Sequence, residues 1–407
     1  MPGLPKIAGV AFLSRLTKDG PPMNASRKSG SASRMLRLLS LTGVWAFMTY
    51  ITVLHQKTGG GPEGAPTVHT LCPFGGMATL YKVVADGTFI QRTFPSAIIL
   101  LLGTVVLALV FRRAFCGWIC PLGAMQELFA TLGRKLHWRR PTHDNKIDGS
   151  LRWVKYLLLF VILFFTYRTG ELVFSPYDPW ASYAHLTAGW GEIAEEFLIG
   201  TIVLFAAVLG SVFIDRPFCR YLCPLGAMLG VISKVGATRV VRNEETCRHC
   251  QRCDQACPVD IKVESMLQVR TTECLSCGEC IAVCPVPQTL EFKARRRVVS
   301  PLVLGAATLV IFFGMVLATQ AAGVWKARPD SLTEITGEGV TLDPANIRGF
   351  MSLNDIEGTY GVPAEELIRR LGLPENTDHT SPVSDIMKAL DRDVQEVRDA
   401  VAMVIEQ

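Results

Sequence analysis

The sequence predicts an α-helical integral membrane protein of about five transmembrane helices built on a parallel internal repeat. Three observations carry that expectation. Apolar residues are clumped into five windows, Lys and Arg alternate in density between those windows, and one cysteine loop occurs twice. Hydrophobic residues make up 49% of the 407 residues and mean hydropathy is positive. Clumping of this kind is the compositional mark of a membrane chain.

The windows are 38–56, 93–111, 153–167, 197–214 and 298–325. A span needs roughly 20 apolar residues. The third window is the shortest and contains Lys155, whose stem would snorkel toward the interface. The charge pattern supports it nonetheless. Residues 1–34 carry six Lys/Arg, 54–95 three, 112–152 eight, 168–195 one and 215–298 thirteen. That alternation fits a multi-pass protein of the cytoplasmic (inner) membrane with its N-terminus inside, and removing the third helix would destroy it. The leader is read as a basic cytoplasmic tail. It is too long for a cleaved signal, and no clear small-residue cleavage site follows the first window.

Thirteen cysteines follow a pattern of their own. Eight fall within 247–284, as "CRHCQRCDQACP" and "CLSCGECIAVCP". Both halves read C-x2-C-x2-C-x3-C-P, the spacing of bacterial two-cluster ferredoxins, in which the fourth cysteine crosses to the other cluster. Cys247, Cys250, Cys253 and Cys284 are thus expected to hold one [4Fe–4S] cluster, and Cys274, Cys277, Cys280 and Cys257 the other. A disulfide framework does not suit the reduced cytoplasmic side. Zinc takes pairs of cysteines rather than two runs each ending in Cys-Pro. His249, between two ligands, is read as an exposed residue.

The duplicated loops are "FCGWICPLGAM" from Phe115 and "FCRYLCPLGAM" from Phe218. Each follows a helix running inward, so each sits at the cytoplasmic face. Pro121 and Pro224 stand where a helix can begin without losing a hydrogen bond. The helix starts favour anionic sulfur. The repeat reaches back to outer turns, where "LCPFGGMATLY" from Leu71 aligns with "FSPYDPWASYA" from Phe174. Both units run the same way, so an axis along the membrane normal is expected to relate them. It would bring Cys116 and Cys120 to Cys219 and Cys223. The four thiols would hold a third [4Fe–4S] cluster or another metal, or stay unliganded. Cys72 has Ser175 as its repeat partner and belongs to no symmetric site. It is read as a small buried residue, or with His69 as an accessory ligand pair on the outer side.

Paired C-x3-C-P loops after membrane helices, followed by a two-cluster ferredoxin, resemble a known family over about residues 36–300. It holds the quinol-dehydrogenase membrane subunit of periplasmic nitrate reductase and the iron–sulfur accessory protein of nitrous-oxide reductase. The resemblance implies electron transfer between a membrane quinone pool and a redox partner, in the membrane or across it. It also implies that Cys116, Cys120, Cys219 and Cys223 matter to function. A periplasmic flavin-attachment motif of the nitrous-oxide accessory type is not found.

Five regions are expected. They are a basic tail (1–34), a four-helix membrane domain with both C-x3-C-P loops (35–239), a cytoplasmic ferredoxin domain (240–296), a fifth transmembrane helix (297–325) and an acidic helical domain outside (326–407). Residues 325–407 hold 16 Asp/Glu and 8 Lys/Arg. They contain a weak repeat at offset 30, in which Asp355, Ile356 and Glu366 recur as Asp385, Ile386 and Glu396. Ser352 with Asp355 reads as a capping box, and Pro363 marks a second helix start, giving a bundle of about four short helices. Its negative charge argues against nucleic-acid binding, so docking of an extracytoplasmic redox partner is the reading.

The function expected is electron transfer through [4Fe–4S] clusters between the quinone pool and a redox partner. Candidate quinone-site residues are Trp118, Gln126 and Glu127 on the inner side and Asp178, Tyr183 and His185 on the outer. The rivals are an accessory factor that reduces a metal or thiol for a respiratory enzyme, and a redox-sensing regulator. No Walker loop, dinucleotide fingerprint or nucleophile–base pair points to a soluble-substrate enzyme.

Overall fold

A computed structural model describes residues 23–58, 64–86, 95–138, 146–169, 174–187, 189–295, 297–327, 344, 347, 349, 351–374, 376–390 and 392–405. Most of the basic leader and the start of the acidic tail lie outside the described residues. Contacts separate the chain into two units, one within 1–56 and 68–327 and the other within 57–67 and 328–407.

The first unit is mainly helical. Among the described residues, three helices are long and apolar enough to cross a membrane: Gly30–Thr58, Ile147–Thr169 and Pro301–Ala321. The windows 93–111 and 197–214, expected as full spans, form the shorter helices Pro95–Phe111 (17 residues) and Leu198–Gly210 (13 residues). Pro95 opens the first of these. The second ends in a turn, with Arg216 left-handed at φ 50° and Pro217 starting the next helix. The weakest window, 153–167, lies instead in one of the three long helices. Lys155 does not snorkel to an interface. It is fully buried and bonds Glu273 Oε1 at 2.5 Å. A buried ammonium without a partner would be costly, and the carboxylate supplies one.

The segment 238–299 folds against these helices. Strands β1 (Thr238–Arg242), β2 (Leu290–Ala294) and β3 (Arg297–Val299) form an antiparallel sheet in that order, with Val240 opposite Phe292. Two single-turn helices, Arg252–Gln255 and Glu279–Ala282, sit between the strands, entered through left-handed Gln251 and Gly278. Val240, Ile261, Leu275 and Phe292 share one core with Phe115, Trp118 and Leu304 from the membrane helices. The contact is close. A Cβ on Gly305 would lie 2.1 Å from the Trp118 ring, so only glycine lets the two helices approach.

The second unit has a core of its own, formed by Ile347, Met351, Leu353, Ile356, Leu367, Val383, Met387, Val397 and Val401. Its helices are Leu353–Tyr360, Ala364–Leu371, Val383–Ala389 and Val394–Ile405. Ser352 and Asp355 form the reciprocal capping box, at 3.1 and 2.8 Å. Pro363 caps the second helix. Ser352 pairs with Pro382 in an isolated bridge, which sets two helix starts side by side at the offset of the weak repeat.

Candidate functional site

The C-x3-C-P loops are built alike. Cys120 and Cys223 are helix N-caps, and Pro121 and Pro224 take the first helical position. The Gly226 N–H donates to Cys223 Sγ at 3.3 Å. Gln126 donates from Nε2 to Cys219 Sγ at 3.3 Å and accepts the Phe218 N–H at 3.1 Å, which locks one loop to the other. The thiols of the two loops are close enough to act on one another electrostatically. Burial raises the Cys120 thiol, and Cys116 and Cys219 raise it further. Burial does the same at Cys223, reinforced by Cys219, Cys116 and Cys120.

The other eight cysteines line two cavities. One is walled by Cys257, Cys274, Cys277 and Cys280 among apolar side chains such as Ile261 and Phe292. The second is walled by Cys247, Cys250, Cys253 and Cys284, with Leu290 beside them. Burial pushes the thiols of Cys253 and Cys257 up to about 12, so thiolates here require a positive partner. Among the described residues, no three His, Cys, Asp or Glu gather closely enough for one metal ion. A cubane takes one thiolate at each of four irons, and four cysteines line each cavity.

Two buried ion networks flank the C-x3-C-P cysteines. In one, Glu273 pairs with Arg113 (3.2 Å) and Lys155 (2.5 Å). In the other, Glu127 takes both Arg37 and Arg216, and Arg37 also reaches Glu279 at 2.9 Å. Burial pushes the Glu127 carboxyl up, but the two guanidiniums outweigh it and hold it at about 2. Arg37, Arg113, Arg216, Glu273 and Glu279 are not among the residues expected at a site from sequence. A signal was present, since Arg113 and Arg216 each stand three residues before the first loop cysteine.

The candidate quinone residues are engaged within the fold. Trp118 is fully buried and donates from Nε1 to Ser276 O at 3.1 Å. Gln126 and Glu127 hold the loops, as described. Asp178 caps a helix by accepting the Trp180 N–H at 3.0 Å. The Tyr183 hydroxyl meets Trp45 Nε1 (3.2 Å) and Thr49 Oγ1 (2.8 Å). His185 stacks on Phe197 at 4.2 Å. Cys72 packs with Phe74 and Leu101. His69 Nε2 lies 3.1 Å from Ser175 Oγ. His249 is exposed and bonds Glu264.

Apolar helices of membrane-crossing length, joined to cysteine-lined cavities, define a helical iron–sulfur protein of ferredoxin type. Residues 93–139 and 197–243 each match the family model described as 4Fe-4S binding domain, and 239–286 match the 4Fe-4S dicluster domain. YccM of Escherichia coli is 33% identical over 70% of this chain and 81% of its own length. The ferredoxin-type protein NapH of the same organism is 30% identical over 42% of this chain and 59% of its own length. Protein NirI of Paracoccus denitrificans is 33% identical over 50% and 30%, respectively. No solved structure matches. The chain belongs to the ferredoxin-type electron-transfer family of these relatives.

Proposed function

We propose that this protein passes electrons between the quinone pool of the cytoplasmic membrane and a redox partner, through [4Fe–4S] clusters at three sites. Cys247, Cys250, Cys253 and Cys284 hold the first, and Cys257, Cys274, Cys277 and Cys280 the second. Cys116, Cys120, Cys219 and Cys223, contributed by the two repeats, hold the third. Five crossings, including the two short apolar helices, place the N-terminus and ferredoxin domain inside and residues 326–407 outside. The Lys/Arg alternation supports that orientation, and an acidic outer domain suits docking of a redox partner.

One observation carries this reading. A Cβ on Gly117 would lie 2.5 Å from Leu275 O and 3.5 Å from Cys277 Cβ. The backbone beside Cys116 therefore touches the backbone beside Cys274 with no side chain between. The third site and the second ferredoxin site share a wall, as consecutive stations of a relay require. The clusters supply one-electron storage when bound. The chain's own residues do the rest. Thiolates hold the cores, Trp118 and Leu275 seal the shared wall, and the apolar lining keeps water out.

The test is iron and acid-labile sulfide per chain in anaerobically purified protein. A variant with Cys116, Cys120, Cys219 and Cys223 all changed to Ser should fall from about twelve irons to about eight. Eight in both proteins would remove the third site. Quinol-driven reduction of the clusters in proteoliposomes should occur in the wild type, and its absence would sink the quinone link.

A further inference from the structure

Arg113 and Arg216 occupy equivalent places in the two repeats, and they cross over. Arg113, from the first repeat, lies on the helix start of the second, where a Cβ on Gly226 would come 2.6 Å from its Nη2. Arg216, from the second repeat, lies on the helix start of the first, where a Cβ on Gly123 would come 3.0 Å from its Nη1. Arg216 also donates from Nη1 to Cys116 O at 2.8 Å. Each guanidinium thus sits against the Pro-Leu-Gly turn that follows a cysteine of the opposite loop. Both arginines are buried, at 1% and 0% exposure.

The carboxylates they touch are shared with other cations. Glu273 already has Lys155, and Glu127 already has Arg37. One network holds two cations to one carboxylate, Arg113 and Lys155 to Glu273. The other holds three to two, Arg34, Arg37 and Arg216 to Glu127 and Glu279. The first keeps an excess positive charge in the interior, and an uncompensated buried charge is costly; in the second the third cation is Arg34, whose side chain is 44% exposed. The Nε–H of Arg113 and that of Arg216 are also buried without a hydrogen-bond partner among the described residues. One unspent buried positive charge and two unspent donors, on arginines at equivalent places in the two repeats, flank one set of four thiols.

We infer that Arg113 and Arg216 are the paired counter-cations of the third site, donating Nε–H hydrogen bonds to the thiolate or sulfide sulfur of an anionic iron–sulfur cluster. The inference rests on the third-cluster reading above. Taking up one electron makes such a cluster more negative. Fixed cations and donors to sulfur favour that step and raise the midpoint potential. Arg113→Gln and Arg216→Gln should each lower the potential of the third cluster and leave the ferredoxin clusters unmoved. Arg→Lys keeps the charge but loses the planar fork, so its shift should be smaller.

The experiment has three readouts on the full chain in detergent. Iron content comes first: about eight irons in the wild type would fell the third-cluster reading, and this inference with it. With about twelve irons present, redox titration followed by electron paramagnetic resonance measures each potential. Wild-type protein carrying 15N only in its arginine side chains then shows, by pulsed resonance, whether arginine nitrogen couples to the third cluster. That measurement needs no variant and so stands if the Gln variants fail to assemble. A 15N coupling absent from the quadruple Cys→Ser protein, with lowered potentials in any variant that retains iron, is the expected result. Full iron, no 15N coupling and unmoved potentials would overturn the role of the arginines and leave the third cluster standing.

Discussion

The substitution Glu273→Gln tests how the ferredoxin segment is joined to the membrane helices. Glu273 has a side chain only 6% exposed, between Lys155 at 0% and Arg113 at 1%. Gln keeps the shape but removes the charge, so two buried cations lose their shared counter-ion. Breaking a buried pair in this way costs about 3–5 kcal/mol. That is roughly a hundred- to several-thousandfold in the folding equilibrium. Anaerobic denaturant titration in detergent, following cluster absorbance, should show the midpoint lowered with the slope unchanged. Adding Lys155→Met removes one stranded cation and should recover part of the loss, which a double-mutant cycle measures. Burial pushes the Glu273 carboxyl up, yet Arg113 and Lys155 reverse this and hold it below its ordinary value. The stabilisation is thus present above about pH 4.3 and fades below it, and the penalty of Gln should shrink in the same window. A loss under about 1 kcal/mol at pH 7 would show that the triad is solvated and would refute the reasoning.

Gly117→Ala sets a methyl 2.5 Å from the Leu275 carbonyl. Overpacking against backbone should cost about 1–3 kcal/mol in the same titration. Asp178 is pushed up to about 6 by burial. Its folded pKa is raised, so the ionised carboxylate opposes folding at high pH and the opposition fades as pH falls. Asp178→Asn, which keeps the cap, should raise the melting temperature at pH 8, and the gain should vanish between about pH 6 and 4. Cys72→Ser should leave the iron content unchanged, because Cys72 packs in an apolar cluster that includes none of the loop cysteines. A fall by a cluster's worth of iron would give it a ligand role. Ser352→Ala removes one arm of the capping box and should cost about 1 kcal/mol, read as faster amide exchange across 353–360.

The parts of this molecule that could be read from sequence are those that covalent or hydrogen-bond geometry ties to spacing. Ligation restricts cysteine intervals, so the residues walling each ferredoxin cavity follow from counting. Pro after Cys marks a helix start, and Ser352 with Asp355 marks another, because both rules act within one turn. Helix length at 93–111 and 197–214 was less legible. Apolar composition says that a window favours lipid, whereas the turn that begins at Ser211 decides where the helix stops. Lys155 was read as an interfacial residue because nothing local showed a partner. Its carboxylate lies 118 residues further on. Long-range ion pairs leave no periodic trace in sequence, which is also why both networks beside the loops went unseen.

The same separation explains how a doubled sequence unit can carry an unsymmetric ferredoxin. At the repeat offset, Glu127 of the first unit corresponds to Gly230 of the second. The second unit therefore lacks its own carboxylate for the arginine crossing over to it. A Cβ on Gly230 would lie 3.3 Å from Thr272 O, so the residue before Glu273 occupies the space that a side chain there would need. The ferredoxin segment supplies the missing carboxylate through Glu273, and Arg113 meets it as Arg216 meets Glu127. Restoring symmetry by Gly230→Glu would place two carboxylates in one pocket and force the ferredoxin backbone aside. Removing Glu273 leaves the pocket short of one. The ferredoxin thus takes the place of a repeat side chain, and its attachment and the charge balance of the four-thiol site become a single interaction.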